Sequence, residues 1–147
     1  MGNENYRNRT FLPNVRQDEN VVDVFNKWIF NSAWIINEVD KSFVEFAEKA
    51  GKYMAENGLK SSKIRSIYSE IKRIQMNFTK EQSSFYLLKP KVAYAVGRER
   101  SVKGLQMFQC VFDKCFQYVN GEKEYMNFCN IMEAIIAYHK AFVKNDD

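Results

Sequence analysis

Apolar residues recur three and four positions apart through most of this chain, and no segment alternates in the manner of a half-buried strand. Ile64, Ile67, Tyr68, Ile71, Ile74 and Phe78 form one such stripe. Leu105, Phe108, Val111, Phe112, Cys115, Phe116 and Val119 form a second. Tyr125, Phe128, Cys129, Met132, Ile135, Ile136 and Phe142 form a third. Spacing of three and four puts side chains on one face of a helix, whereas a strand face needs a period of two. The pattern implies an all-α fold: a compact single-domain bundle of five to six helices joined by short loops. At 147 residues such a bundle buries roughly 70% of the surface its unfolded chain exposes, so it needs no disulfide or metal.

Local signals mark the helix ends. Ser42 with Glu45, and Thr79 with Gln82, have the spacing of capping boxes, in which hydroxyl and carboxylate or amide satisfy backbone donors at a helix start. Ser61 or Ser62 is placed to cap the helix carrying the first stripe. Asn57-Gly58-Leu59 is a stop: the glycine takes the left-handed conformation and the leucine folds back on the last turn. Between about Lys80 and Gly97 lies a helix apolar on nearly all sides, which places it centrally, with a kink or restart expected at Pro90. Residues 1–20 are polar and rich in asparagine, as in a flexible N-terminal arm, and 21–147 form the bundle. Val21 to Asn37, with less regular spacing, fits a first helix and a packed loop.

Several classes are excluded. No apolar run approaches the roughly 18 residues of a membrane span, and Met1 to Asn20 lacks the apolar centre of a signal peptide. Cys110, Cys115 and Cys129 are odd in number and without CxxC spacing, as expected of reduced thiols in a cytoplasmic protein. That spacing also argues against zinc, and no metal or other cofactor is expected. His139 is the only histidine. It falls on the last apolar stripe, where a core-edge residue with one satisfied nitrogen outweighs a catalytic one. HExxH, GxSxG and Walker motifs are missing and the carboxylates stand singly, so an enzyme is not expected.

The charge is what remains. The net charge of +4 is unevenly spread: residues 58–103 carry 11 Lys/Arg against 3 Asp/Glu, while both flanks are mildly acidic. A one-signed block of this kind suits a polyanion, RNA or DNA first. Arg65 and Lys72, seven apart, project from the same side of one helix beside its apolar stripe. Lys60 and Lys63 stand at that helix's start, where backbone donors also favour a phosphate. Lys89 and Lys91 interrupt an apolar helix, and Tyr94, Arg98, Arg100 and Lys103 follow. Two readings of this segment are equal on spacing: lysines solvated at a kink beside a core tyrosine, or lysines meeting an anion while Tyr94 stacks on a base or sugar. Five phosphate contacts to a single strand give a log–log salt slope of about −3.5, roughly a hundredfold loss between 50 and 200 mM. Such a binder needs repetition along the strand or neighbouring subunits to hold RNA firmly.

An ordered series of blocks carries a family resemblance. These are Phe46-Ala47-Glu48-Lys49-Ala50-Gly51-Lys52-Tyr53-Met54, then Leu59 through Ile64-Arg65 to Tyr68-Ser69-Glu70-Ile71-Lys72-Arg73-Ile74. Next comes Leu87-Leu88-Lys89-Pro90-Lys91-Val92-Ala93-Tyr94-Ala95 with Gly97-Arg98, the most specific of them. The last is Met132-Glu133-Ala134-Ile135-Ile136-Ala137-Tyr138-His139-Lys140. Over residues 43–142 the chain resembles the small subunit of the Csm complex, the type III-A CRISPR interference assembly. It departs from the family at Lys60-Ser61-Ser62-Lys63, where a Thr-Thr or Thr-Ser pair is common.

The resemblance implies a small helical bundle without catalytic activity, several copies of which line up as an inner filament beside the guide RNA and its paired target RNA. It implies a Csm backbone subunit, a large polymerase-like subunit and further copies of the chain as partners, with the chemistry in the other subunits. Together with the basic block this gives an expected RNA-binding set: Arg65, Lys72, Lys89, Lys91 and Arg98 neutralise phosphates, Lys63 and Arg100 are secondary, and Tyr94 packs against a nucleotide. Contacts to phosphate rather than base edges leave sequence choice to pairing with the guide. A Cmr-type small subunit, a DNA-binding helical bundle and a protein-interaction module with an acidic partner are the alternatives.

Overall fold

The computed structural model describes residues 19–144; all but the last two residues of the expected arm lie outside this range. Seven helices are found among the described residues: α1 (Val21–Lys27), α2 (Ala33–Ile36), α3 (Lys41–Glu56), α4 (Ser61–Gln75), α5 (Gln82–Arg98), α6 (Lys103–Phe116) and α7 (Glu122–Phe142). The fold is all-α, as the periodicity implies. The count exceeds five to six because Val21 to Asn37 divides into α1 and the single turn of α2.

The long α3 and α7 pack against each other, with α6 against α3 and α4 against α7. They come close at Gly51, where there is no room for a side chain. α7 also reaches its neighbours by side-chain bonds to backbone carbonyls. The Tyr125 hydroxyl donates to Ile71 O at 2.7 Å. Asn127 Nδ2 donates to Ile35 O at 2.7 Å and Asn37 O at 3.0 Å, pinning the end of α2. Burial holds the Tyr125 phenol far above its ordinary pKa, so the hydroxyl stays a donor. Rings form two clusters in the core: one with Trp34, Phe43 and Phe46, the other with Phe85, Phe112, Tyr125 and Phe128.

The stop after α3 forms as expected. Gly58 has φ +90°, and the Leu59 N–H reaches back to Met54 O at 3.1 Å while its side chain is buried. The helix starts differ. Asp40, not Ser42, caps α3: its carboxylate accepts from Phe43 N–H at 3.3 Å, from the Ser42 hydroxyl at 2.6 Å and from Trp34 Nε1 at 3.1 Å. A carboxylate is the stronger acceptor at the positive end of the helix, and Ser42 becomes one of its donors. Lys60 occupies the cap position of α4, leaving Ser61 buried as the first helical residue. The Thr79–Gln82 box is not formed, because a turn runs through residue 80 and α5 begins at Gln82 behind Glu81, whose carboxylate accepts from the Ser84 hydroxyl at 2.8 Å.

The largest correction concerns α5, which is peripheral rather than central. It packs on α4 and α6 and buries only Phe85, Leu88 and Val92. It is continuous through Pro90, with neither restart nor break. Pro90 sits on the exposed face, where water can serve the carbonyl that loses its partner. Three of its large apolar residues face outward: Tyr86 is 55% exposed, Leu87 57% and Tyr94 67%. Isolated apolar residues at a surface are ordinary, but several together on one helix mark a contact surface.

Candidate nucleic-acid interface

α4 turns its buried stripe of Ile64, Ile71 and Ile74 into the core, and its basic residues divide between the two flanks. Arg65 and Lys72 lie on one, as their spacing implies, both exposed. The Lys72 ammonium sits 5.9 Å from the Tyr68 ring centre. On this flank Tyr68 is half-buried near Glu133 and Cys129 of α7, and burial raises its phenol pKa.

Lys63 lies on the other flank, facing α5. Lys63, Ser66, Ile67 and Glu70 of α4 and Lys91, Val92 and Ala95 of α5 line a groove of about 310 Å³. Its cations are not equivalent. Lys63 Nζ is 2.9 Å from Glu99 and holds that carboxyl below its usual range. Arg73 bonds Glu70 at 2.6 Å and Glu81 at 3.2 Å, tying the end of α4 to the start of α5; it depresses the Glu70 carboxyl, and the Ser84 hydroxyl and Arg73 together depress that of Glu81. Glu70 and Glu99, the carboxylates that feel Lys91 and Arg98, are thus each bonded to another cation. Lys91 and Arg98 make no ion pair among the described residues, and the Arg98 guanidinium rests 5.7 Å from the Tyr94 ring centre.

Lys89 points away from this groove. Its ammonium is 3.0 Å from Asp113 of α6 and 5.3 Å from the Phe116 ring centre. Arg100, in the turn after α5, donates from Nε to Gly97 O at 3.3 Å. The expected set therefore falls into an α4 flank (Arg65, Lys72), a groove and outer face (Lys63, Lys91, Tyr94, Arg98) and two separate residues (Lys89, Arg100). Tyr94 is exposed rather than in the core, and Lys89 and Lys91 are exposed beside it. The Arg73 clamp and the partners Glu99 and Asp113 went unrecognised in the sequence. Only the Glu70–Arg73 pair had a local signal there, its spacing of three on one helix.

His139 is 1% exposed and its Nε2 lies 2.7 Å from Leu59 O. A carbonyl only accepts, so Nε2 carries the proton. Cys115 and Cys129 are buried and Cys110 half-buried. Burial raises all three thiol pKa values, that of Cys129 to about 12. Among the described residues no His, Cys, Asp and Glu cluster could hold a metal ion, and no helix is long and apolar enough to cross a membrane.

A family model described as Csm2 Type III-A matches residues 37–145, from just after α2 to beyond α7. The chain belongs to the Csm2 Type III-A family. The resemblance seen in the sequence blocks is thereby confirmed, and the chain is a type III-A Csm small subunit. The Csm2 match takes in α3 to α7 and every residue of the basic set, and leaves α1 and α2 outside. Comparison with the curated proteins and with the solved structures gives no match.

Proposed function

We propose that this Csm2 chain is a non-catalytic RNA-binding scaffold of the type III-A interference complex in the cytoplasm. Its copies line the guide RNA and its paired target RNA beside the Csm backbone subunit and the large polymerase-like subunit. The observation that carries the reading is the state of the basic residues. Arg65, Lys72, Lys91 and Arg98 are exposed and bonded to no carboxylate among the described residues, while Glu70, Glu81 and Glu99 are engaged by Arg73 and Lys63. Cations without a protein counter-ion are the ones able to exchange small ions for phosphates. Lys63, Lys89 and Arg100 are left out of this set, because each already has a partner.

Four phosphate contacts give a log–log salt slope of about −2.8 on single-stranded RNA, roughly a fiftyfold loss between 50 and 200 mM. The test is the chain with Arg65, Lys72, Lys91 and Arg98 all changed to Glu, titrated against RNA over that range. The expected result is weak, salt-independent binding with unchanged helicity and melting. Unaltered RNA binding by the variant overturns the assignment of the site. Purification of the tagged chain from its own cells tests the partners. Recovery of the Csm subunits with RNAs sharing a repeat-derived end supports the reading, and recovery of an acidic protein without RNA overturns it.

A further inference from the structure

Leu87, Lys91, Tyr94 and Arg98 follow one another at intervals of four, three and four, so they form a single ridge on the outer face of α5. Tyr94 is the most exposed ring on this helix. Among the described residues it touches no other ring, and its one cation contact is Arg98. That guanidinium stands 5.7 Å from the ring centre, and the ring remains 67% exposed. Lys91 stands one turn before Tyr94 and Arg98 one turn after, about 10 Å apart along the helix axis. The carboxylates that feel these two cations are bonded to others: Glu70 to Arg73 at 2.6 Å and Glu99 to Lys63 at 2.9 Å. An exposed ring between two cations that make no ion pair among the described residues suits a flat ring attached to anions on both sides.

We propose that this ridge takes an unpaired RNA nucleotide, with its base stacked on the exposed ring of Tyr94 and its flanking phosphates held by Lys91 and Arg98. The inference rests on the RNA-binding reading above and adds a substrate class to it. Bases inside an A-form duplex are stacked on both faces and cannot offer one to an exposed side chain, whereas unpaired bases can. The ridge therefore distinguishes a free strand from a paired one, which phosphate contacts alone do not. Sequence is not read, because every base has a π-face.

The experiment compares three probes with the full chain at low salt: a short single-stranded RNA, the same strand with abasic positions, and the corresponding RNA duplex. Tyr94→Ala is expected to weaken binding of the intact single strand about tenfold and to leave the abasic strand and the duplex unchanged. Tyr94→Phe is expected to restore the single-strand affinity, since it keeps the ring. Lys91→Glu with Arg98→Glu is expected to weaken all three probes. Equal loss on all probes for Tyr94→Ala, or no loss on any, overturns the stacking site while the charge-reversed variant upholds the RNA reading. Failure of the unaltered chain to bind any probe overturns both and leaves an acidic protein segment as the occupant of the ridge.

Discussion

Gly51 of α3 and Tyr138 of α7 meet so closely that a Cβ on the glycine would lie 2.6 Å from the Tyr138 Cβ. The same atom would lie 2.7 Å from His139 N and 2.8 Å from Ile135 O. Two of these three neighbours are backbone, so the clash cannot be relieved by turning a side chain. Gly51→Ala is expected to push α3 and α7 apart and to destabilise the fold by about 1–3 kcal/mol. Gly97 is the control. It is helical and exposed, and a Cβ there meets nothing within 4 Å. Gly97→Ala should stabilise by roughly 0.5–1 kcal/mol. Urea unfolding of both variants checks the pair, and equal midpoints would mean that the helices do not pack at Gly51 in solution.

His139 fastens α7 to the turn between α3 and α4 through Leu59 O. Replacing it with alanine leaves a buried carbonyl without a partner and opens a space beside it. The expected cost is about 1–3 kcal/mol, seen as a lower denaturation midpoint with an unchanged slope. A cost near zero would show that water reaches the carbonyl when the ring is gone.

The Lys63–Glu99 contact predicts a titration. Lys63 holds the Glu99 carboxyl below its usual pKa in the folded chain. A depressed folded-state value means that the contact stabilises at neutral pH. That contribution is lost as the pH falls through the folded value, because the unfolded chain takes up its proton first. Carboxyl NMR should give a Glu99 midpoint below the ordinary value of 4.5, moving up toward it in Lys63→Met. An identical midpoint in the two proteins would show that the pair is not formed in solution.

Helix content and most of the core were legible in the sequence because a face buried over several turns leaves a period no other structure shares. Ile64, Ile71 and Ile74 needed nothing more. The caps were misassigned because Ser42, Ser61 and Thr79 each lie within three residues of the true helix start. Local sequence does not say which polar group there wins the free N–H groups. The position of α5 was hidden for another reason. Leu87 and Tyr94 look the same in sequence whether they pack inside or face outward, so an apolar helix reads as a central one. Pairing of the basic residues was hidden too, since Glu99 and Asp113 belong to other elements than the lysines they engage.

Lys89 and Lys91 are neighbours in sequence with opposite commitments, and this separates packing from RNA contact. Lys89 is held between Asp113 and the Phe116 ring, bracing α5 against α6. Lys91 borders the α4–α5 groove, and Glu70, the carboxylate that feels it, is bonded to Arg73. Lys91→Gln should weaken single-stranded RNA binding and make the log–log salt slope shallower by about 0.7, the share of one phosphate contact. Lys89→Gln should leave the slope unchanged and lower stability by under about 1 kcal/mol, as for a partly exposed ion pair. RNA titrations at several salt concentrations, with urea unfolding of the same samples, measure both quantities. If Lys89→Gln changes the slope as much as Lys91→Gln, Lys89 exchanges Asp113 for a phosphate when RNA binds, and α5 must then shift on α6.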